Sequence, residues 1–206
     1  MKVAIFGTGG HGREVMEYLF PKAVFIDDHK SPGTYVNGRP VVGGKTLLCD
    51  RGFLSEYQII VALGDNKARS ELSRMVLKHG GSLATAIHPS AIFANHSTIG
   101  IGSIVMPMAI VGPNVTIGRW CIVNKAARVS HDAILEDGVN LSDSAMLTTH
   151  VGEDAFVGLN VSVIPNVPIG ARAIVGAGSV VTKEVMPDTT VAGVPARLIA
   201  NRGTHG

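Results

Sequence analysis

The sequence predicts two modules of different fold class, an α/β module at the N-terminus followed by a parallel β-helix. Residues 1–84 alternate apolar runs with glycine turns and helical segments, whereas from Ile87 onward an aliphatic residue recurs at every sixth position. The composition agrees with this division, because 46% of the 206 residues are hydrophobic but only 5% are aromatic. A core built almost wholly of aliphatic side chains favours a fold that repeats one small aliphatic position along the chain. We therefore expect one domain over residues 1–84 and a second over residues 85–206.

The composition argues against several classes of function. Charged residues make up 17% of the chain and the formal net charge is +2, which provides no strong field for binding nucleic acid. No signal peptide and no apolar stretch of membrane-spanning length is recognised. Cys49 and Cys121 stand apart from any pattern of metal ligands, which favours a reducing compartment without structural zinc. These features predict a cytoplasmic protein with no membrane span.

The N-terminal module begins as strand, glycine turn and helix. Residues 2–6 (KVAIF) read as a strand, residues 7–12 (GTGGHG) as the turn and residues 13–20 as the helix. Glycines in such a turn let the backbone approach a ligand, and a helix N-terminus presents N–H groups to a phosphate. The turn therefore favours a nucleotide site, although Gly7, Gly9 and Gly12 would equally suit close packing of the strand against the helix.

Two further strands are expected to end at the same edge of the sheet. Residues 23–26 precede Asp27 and Asp28, at the place where acidic residues of doubly wound folds meet a ribose or base. Residues 58–63 (QIIVAL) run into Gly-Asp-Asn and are followed by a helix over about residues 67–79. Ligands of such folds bind at the carboxyl ends of parallel strands. The three junctions thus predict a nucleotide-binding edge in a Rossmann-like βαβ module.

The second module is predicted from its hexads, each of which has an aliphatic or aromatic first residue and a small or β-branched fifth residue. The first positions are Ile87, Phe93, Ile99, Val105, Val111, Ile117, Val123, Val129, Leu135, Leu141, Val151, Val157, Val163, Ile169, Val175 and Val181. This period is typical of a β-helix in which three hexads form one triangular coil, so about five coils are expected. The register slips once, between Leu141 and Val151. Glycines after the first position, such as Gly112 and Gly158, are expected to turn the corners.

The order of motifs along nearly the whole chain resembles the bacterial sialic acid O-acetyltransferase family of hexapeptide-repeat acyltransferases. The motifs are residues 9–12 (GGHG), the pair Asp27 and Asp28, and residues 63–66 (LGDN), 129–132 (VSHD) and 191–196 (VAGVPA). The resemblance implies a left-handed β-helix, a homotrimer with active sites between subunits, and acetyl-CoA as cosubstrate. The best understood members N-acetylate nucleotide-linked 4-amino-4,6-dideoxy sugars, which implies the same acceptor class here, with UDP as the expected nucleotide.

Among the eight histidines, His131 is the candidate general base. It is third in its hexad, so its side chain points away from the prism interior, and the resemblance assigns His131 and Asp132 to catalysis. An amine or hydroxyl that attacks a thioester must lose a proton, and imidazole titrates near neutral pH. A carboxylate on the second ring nitrogen fixes the tautomer, which is the expected role of Asp132. We expect surface positions for His29, His79, His88, His96 and His205, and a place at the slip for His150, where it would help turn the chain.

The resemblance also implies contacts with both substrates. On the coenzyme side it points to Leu159, Ala177 and Asn140, the last at a position where family members can carry a second histidine. On the sugar side it points to Gly9, Gly10 and His11 at the diphosphate and sugar, and to Asp27 and Asp28 at the uridine. The closely spaced histidine pair of β-helical carbonic anhydrases is absent, so no metal is expected.

Three functions remain open at this point. The leading hypothesis is an acetyl-CoA-dependent N-acetyltransferase of a nucleotide-linked 4-amino sugar in bacterial surface glycan biosynthesis. His131 would act as base in direct transfer, because neither cysteine matches a nucleophile of the family. O-acetylation of a sialic acid or related sugar is the first alternative. A non-catalytic β-helix protein that binds a nucleotide sugar is the second.

Overall fold

The computed structural model describes residues 2–201, so His205 lies outside the described residues. By its internal contacts the chain divides into two compact units, Met1–Ala86 and Ile87–Gly206. Within the described residues, no helix is both long and apolar enough to cross a membrane.

The N-terminal unit contains a six-stranded sheet with the strand order β3-β4-β2-β1-β5-β6. Its strands are β1 (Lys2–Phe6), β2 (Val24–Ile26), β3 (Tyr35–Val36), β4 (Arg39–Gly43), β5 (Tyr57–Val61) and β6 (Ser82–Leu83). Its helices are α1 (Gly10–Leu19), α2 (Arg51–Glu56) and α3 (Asn66–Lys78), with a 3-10 helix at Lys45–Cys49. All pairs in the sheet are parallel except the hairpin of β3 and β4. The predicted Rossmann-like α/β module is confirmed.

Helix α1 begins at Gly10, three residues before the predicted start. Intrinsic propensity disfavours glycine in a helix, but packing decides the matter at two positions. A Cβ atom on Gly12 would lie 2.0 Å from the carbonyl oxygen of Gly7. Gly7 itself has a φ of +106°, and a Cβ atom there would lie 2.9 Å from Leu63 Cδ2. The close approach of α1 to β1 therefore draws the second half of the glycine turn into the first helical turn.

The residues of the LGDN motif hold the start of α3 in place. Asp65 caps the helix by accepting a hydrogen bond from the backbone N–H of Ala68 at 2.8 Å. The guanidinium of Arg69, a fully buried residue, donates to the carbonyl oxygen of Leu63 and to Asn66 Oδ1, both at 2.9 Å. These contacts fix the loop that follows β5, so a structural role alone explains the LGDN motif.

The hexapeptide repeat forms a series of short strands. In chain order they are β7 (Ala86–Ile87), β8 (Ile92–Phe93), β9 (Thr98–Ile99), β10 (Ile104–Val105), β11 (Ile110–Val111), β12 (Thr116–Ile117), β13 (Ile122–Val123), β14 (Arg128–Val129), β15 (Ile134–Leu135), β16 (Asn140–Leu141), β17 (Met146–Leu147), β18 (His150–Val151), β19 (Phe156–Val157), β20 (Ser162–Val163), β21 (Ile174–Val175) and β22 (Val180–Val181), followed by β23 (Thr189–Gly193) and β24 (Ala196–Asn201).

These strands stack into the three faces of a prism. The first face has the order β24-β23-β21-β19-β16-β13-β10-β7, the second β22-β20-β17-β14-β11-β8, and the third β18-β15-β12-β9. On the first face only β24 is antiparallel to its neighbour. The other seven strands, from β7 to β23, follow one another at intervals of one coil, so the prism has six coils, one more than predicted. The predicted left-handed β-helix class of the repeat is confirmed.

Aliphatic side chains fill the prism as the hexads predict. From Val105 to Val181 every first position is at most 6% exposed, and fifth-position residues such as Cys121 and Ala145 are fully buried. Ile87 is 38% exposed, because it lies in the first coil and has a neighbouring strand on one side only. The near absence of aromatic residues follows from this narrow interior, which takes one aliphatic side chain per face.

The register slips at two places rather than one. The first slip lies between Leu147 and Val151, later than the predicted start at Leu141, and His150 forms part of β18 instead of turning the chain. The second slip lies between Val181 and Val185. The sequence prediction put Val185 at a fifth position, but it forms an isolated parallel β-bridge with Ile169, as a residue at a first position would. At both slips a four-residue step replaces the usual six.

The corners are turned by the fourth hexad position and not by the glycines after the first position. Residues at the fourth position repeatedly adopt a left-handed backbone, as Asn114 (φ 59°), Asp132 (φ 58°) and Gly138 (φ 74°) show. Gly112 and Gly158 are needed for another reason. A Cβ atom there would lie 2.9 Å from the N atom of His131 and 2.7 Å from that of Ala177, respectively. These glycines let successive coils approach each other closely.

Candidate active site

The predicted pair His131 and Asp132 forms the tip of a corner of the β-helix, between β14 and β15. The inward side chains of Val129 and Ala133, each about 1% exposed, anchor the corner on both sides. His131 Nδ1 lies 2.8 Å from Asp132 Oδ2, and the two side chains are 66% and 65% exposed. Since an ionised carboxylate only accepts hydrogen bonds, this contact places the proton on Nδ1. The lone pair of Nε2 is then available to take a proton from a substrate.

Asn114 adds a contact that the sequence analysis missed. Its Nδ2 donates to Asp132 Oδ1 at 3.1 Å, across the 18 residues that separate successive coils at this corner. The hydrogen bond from His131, and after it that from Asn114, holds the pKa of the Asp132 carboxyl below its ordinary value. The coil length of 18 residues was the signal that could have found Asn114, because it places this residue directly beneath Asp132.

The corner of the following coil is shorter, which leaves the His131 corner uncovered on that side. Asp132 N donates to the carbonyl oxygen of Pro113 at 3.1 Å, so this corner stacks on the one before it. In the next coil only Thr148 and Thr149 join β17 to β18. Among the described residues, no left-handed residue occurs between Ser144 and Asp154. The turn that would stack on Asp132 is therefore missing, in agreement with the high exposure of His131.

A second histidine–carboxylate pair lies on the third face of the prism. His150 Nε2 is 2.9 Å from Glu136 Oε1, and the other oxygen of Glu136 accepts the backbone N–H of Glu153 at 2.9 Å. His150 neighbours Ile134 in the sheet. The pair links successive coils, which gives it a structural role in the irregular part of the prism.

The residues expected at the coenzyme lie away from the His131 corner. Leu159 and Ala177 each hold the third hexad position after a first-face strand, and Gly178 N donates to the carbonyl oxygen of Leu159 at 2.7 Å. They therefore stack on the corner between the first and second faces, whereas His131 lies between the second and third. Asn140 is 5% exposed and lies in β16 on the first face. Within one chain, the fold brings Leu159 and Ala177 together but leaves them on a different edge from His131.

The glycines of the N-terminal turn fall into two groups. Gly7 and Gly12 are required by packing, as described for α1. At Gly9 and Gly10, by contrast, an added Cβ atom meets nothing within 4 Å. Neither of these two has a left-handed φ. Packing therefore explains only half of the glycines, and Gly9 and Gly10 leave open space at the N-terminus of α1.

Asp27 and Asp28 accept hydrogen bonds from residues of the neighbouring loops. Asp27 Oδ2 accepts from the backbone N–H and the hydroxyl of Thr8 at 2.9 and 2.5 Å, and Oδ1 accepts from the N–H of His29 at 2.9 Å. Partial burial alone would raise the pKa of the Asp27 carboxyl, but these hydrogen bonds outweigh it and hold that pKa below its ordinary value. Asp28 Oδ1 accepts from the N–H of Lys45 at 2.6 Å.

Both aspartates line an open cleft of about 280 Å³ at the carboxyl ends of β1, β2 and β5. Gly7, Lys45 and Glu71 contribute to the same cleft, whereas Gly9, Gly10 and His11 are not part of its lining. Lys45 was missed by the sequence analysis because it follows β4, a strand that lacked a clear sequence pattern. Among the described residues, no group of three or more His, Cys, Asp or Glu side chains could hold a metal ion.

Comparison with known proteins bears on both units. Residues 2–76 match the family of the PglD N-terminal domain, and residues 149–183 match the hexapeptide repeat of succinyl-transferase. Over 210 aligned residues the chain is 34% identical to GDP-perosamine N-acetyltransferase of Escherichia coli O157:H7, and the match covers 94% of each protein. The chain belongs to the hexapeptide-repeat acetyltransferase family. The enzyme class predicted from the sequence, an acetyl-CoA-dependent acyltransferase, is confirmed. We refer to the protein below as this acetyltransferase.

Two solved structures resemble this acetyltransferase over nearly its whole length. A mutant of perosamine N-acetyltransferase from Caulobacter crescentus, in complex with CoA and GDP-perosamine, is 36% identical with a TM-score of 0.89, and the match covers 97% of each chain. The acetyltransferase domain of PglB from Neisseria gonorrhoeae is 34% identical with a TM-score of 0.90, covering 96% of this chain and 99% of that one.

Proposed function

We propose that this acetyltransferase transfers the acetyl group of acetyl-CoA to the amine of a nucleotide-linked 4-amino sugar. The observation that carries the proposal is the exposed His131 corner, where Asp132 holds Nδ1 of the ring and leaves Nε2 for a substrate. The relatives support the reaction class. One is named as a GDP-perosamine N-acetyltransferase, and a solved relative contains CoA and GDP-perosamine.

In the proposed mechanism, His131 moves one proton. As the sugar amine attacks the thioester carbonyl carbon, His131 Nε2 accepts the proton that the nitrogen loses. When the carbon–sulfur bond breaks, the same nitrogen returns the proton to the departing thiolate of CoA. Asp132 stabilises the imidazolium between these two steps and stays ionised itself, as the carboxylate of a catalytic triad does. The transfer is direct, without an acetylated enzyme.

The nucleotide of the acceptor is the open part of this proposal. The family resemblance led us to expect UDP, which stays a prediction. The relatives at 34% and 36% identity are named for GDP-perosamine, so we propose GDP-perosamine as the first acceptor to assay. The cleft at Asp27 and Asp28 is the proposed site of the nucleoside, and the open backbone at Gly9 and Gly10 that of the diphosphate, with His11 beside it.

A homotrimer with active sites between subunits is proposed for this acetyltransferase. Its support is the separation of the predicted groups within one chain, since His131 and the pair Leu159 and Ala177 occupy different edges of the prism. Three parallel prisms would bring the His131 edge of one subunit to the coenzyme edge of the next. Light scattering of the purified protein tests this, and a monomer that retains full activity would contradict it.

The decisive experiment is a CoA-release assay with acetyl-CoA and a panel of nucleotide sugars. The panel holds GDP-, UDP- and dTDP-linked 4-amino sugars, each paired with the analogue that carries a hydroxyl in place of the amine. Release of CoA with an amino sugar, and acetamide formation by mass spectrometry, would support the proposal. Release with the hydroxyl analogue alone would replace it by O-acetylation. Binding of a nucleotide sugar without any CoA release would favour the non-catalytic alternative.

A further inference from the structure

We propose that Asn114 is a positioning residue for the candidate base. It would fix the Asp132 carboxylate, which in turn holds His131 in the tautomer with its proton on Nδ1. The kinetic part of this inference rests on the proposed function, whereas the tautomer of His131 is a property of the protein alone.

The geometry of the three side chains carries the inference. Each oxygen of the Asp132 carboxylate receives one donor, Oδ2 from His131 Nδ1 at 2.8 Å and Oδ1 from Asn114 Nδ2 at 3.1 Å. A carboxylate held at one oxygen can rotate about its Cβ–Cγ bond, whereas two donors on opposite oxygens define its plane. Asn114 thereby sets the direction from which Asp132 meets the imidazole.

The backbone of Asn114 gives the alternative explanation that must be separated from this one. Asn114 and Asp132 occupy the same hexad position on successive coils, with φ of 59° and 58°. Left-handed positions favour Gly, Asn and Asp on conformational grounds alone. Glycine would satisfy that backbone without donating a hydrogen bond, and aspartate would satisfy it while offering an acceptor in place of the donor. Only the positioning role requires the amide of Asn114.

Solvent exposure sets the size of the effect to be expected. The side chains of His131 and Asp132 are both about two-thirds exposed, so water competes with Asn114 for Oδ1 and the hydrogen bond contributes little to folding. Its consequence should appear in the orientation of the ring. In the bound complex that orientation decides the direction of the Nε2 lone pair, and hence kcat rather than KM.

The test compares Asn114→Gly and Asn114→Asp with the control His96→Gly. His96 also has a left-handed backbone, with φ 66°, and lies one coil before Asn114 on the side away from Asp132. For both Asn114 variants we expect kcat to fall by about three- to tenfold with the KM of each substrate unchanged. In ¹⁵N spectra of the imidazoles, the Nδ1–H tautomer of neutral His131 should dominate in the wild type and lose population in both variants. His96→Gly should change neither measurement.

The two readouts keep this inference separate from the proposed function. If the wild type releases no CoA with any acceptor, the proposed function fails, and the tautomer of His131 still decides the role of Asn114. A wild-type tautomer population and a wild-type kcat in Asn114→Gly would overturn the inference. A fall in kcat shared equally with His96→Gly would overturn it as well, since the effect would then belong to the backbone of the corner.

Discussion

Gly112 lies directly against the backbone of His131, so that a Cβ atom on Gly112 would come within 2.9 Å of His131 N. Gly112 N also donates to the carbonyl oxygen of Val129 at 2.8 Å. We expect Gly112→Ala to push the His131 corner outward, with the free energy of unfolding lowered by about 1–3 kcal/mol, as in other overpacked sites. Thermal unfolding measures this. The control is Gly64→Ala, where an added Cβ atom meets nothing within 4 Å, and an equal loss of stability in both variants would contradict the steric argument.

His131→Ala should lower kcat by about 10²- to 10⁴-fold, the usual contribution of a general base. Some activity should remain, because the protein still holds the two substrates next to each other in a reactive orientation. The KM for acetyl-CoA should stay near its wild-type value, as should the melting temperature, since His131 is largely exposed. The matched control is His96→Ala, a histidine at an exposed corner of the same edge. Unchanged acetyl transfer by His131→Ala would remove the proposed base from the mechanism.

The glycine turn provides a matched pair of substitutions. We expect Gly12→Ala to prevent folding of the N-terminal unit, because the added methyl would lie 2.0 Å from the oxygen of Gly7. Gly10→Ala should fold normally, since that methyl meets nothing within 4 Å and alanine suits the helix better than glycine. If the diphosphate approaches this backbone, Gly10→Ala should nevertheless raise the KM for the nucleotide sugar, with the KM for acetyl-CoA unchanged. An unchanged KM for both substrates would place the diphosphate elsewhere.

Asp27 should make the stability of the protein depend on pH. Its folded-state pKa is lowered, so its ionised form stabilises the fold above the ordinary aspartate pKa of about 3.9, and this contribution is lost as the pH falls through the folded-state value. We expect Asp27→Asn to melt at a lower temperature than the wild type at pH 7. The difference should narrow below about pH 4. Glu17→Gln, which alters an exposed carboxylate on α1, is the control, and a melting-temperature difference that does not narrow at all as the pH falls below about 4 would show that charge is not the cause.

The sequence predicts the β-helix well because the prism interior requires an aliphatic side chain at every sixth residue. It does not predict the length of each corner. Val185 suits a small fifth position and an inward first position equally well, so the second slip had no sequence signal. The start of α1 was missed for a different reason. Gly10 and Gly12 are poor helix formers, and only the contact of Gly12 with Gly7, which belongs to tertiary packing, explains why the helix begins there.

In the candidate site, too, some contacts could be predicted from the sequence and others could not. His131 and Asp132 are adjacent in the chain, so their contact could be predicted without any coordinates. Asn114 reaches the pair only because this coil contains 18 residues, and a shorter coil would have moved it away. Lys45 reaches the cleft through β4, whose hairpin partner β3 has only two residues. The sequence pattern does not predict contacts that depend on the length of a coil or on a short edge strand.

The four-residue steps at the two slips have a consequence for how such a molecule diversifies. Strand pairing continues across both of them, from Leu135 to Val151 and from Val175 to Val191, so a face does not depend on the length of the corners that connect it. Deletion of corner residues can therefore create a recess beside an existing side chain while the fold is inherited unchanged. Next to His131, the short corner between β17 and β18 leaves the proposed base open to acceptors of different shape without any change in the residues that support it.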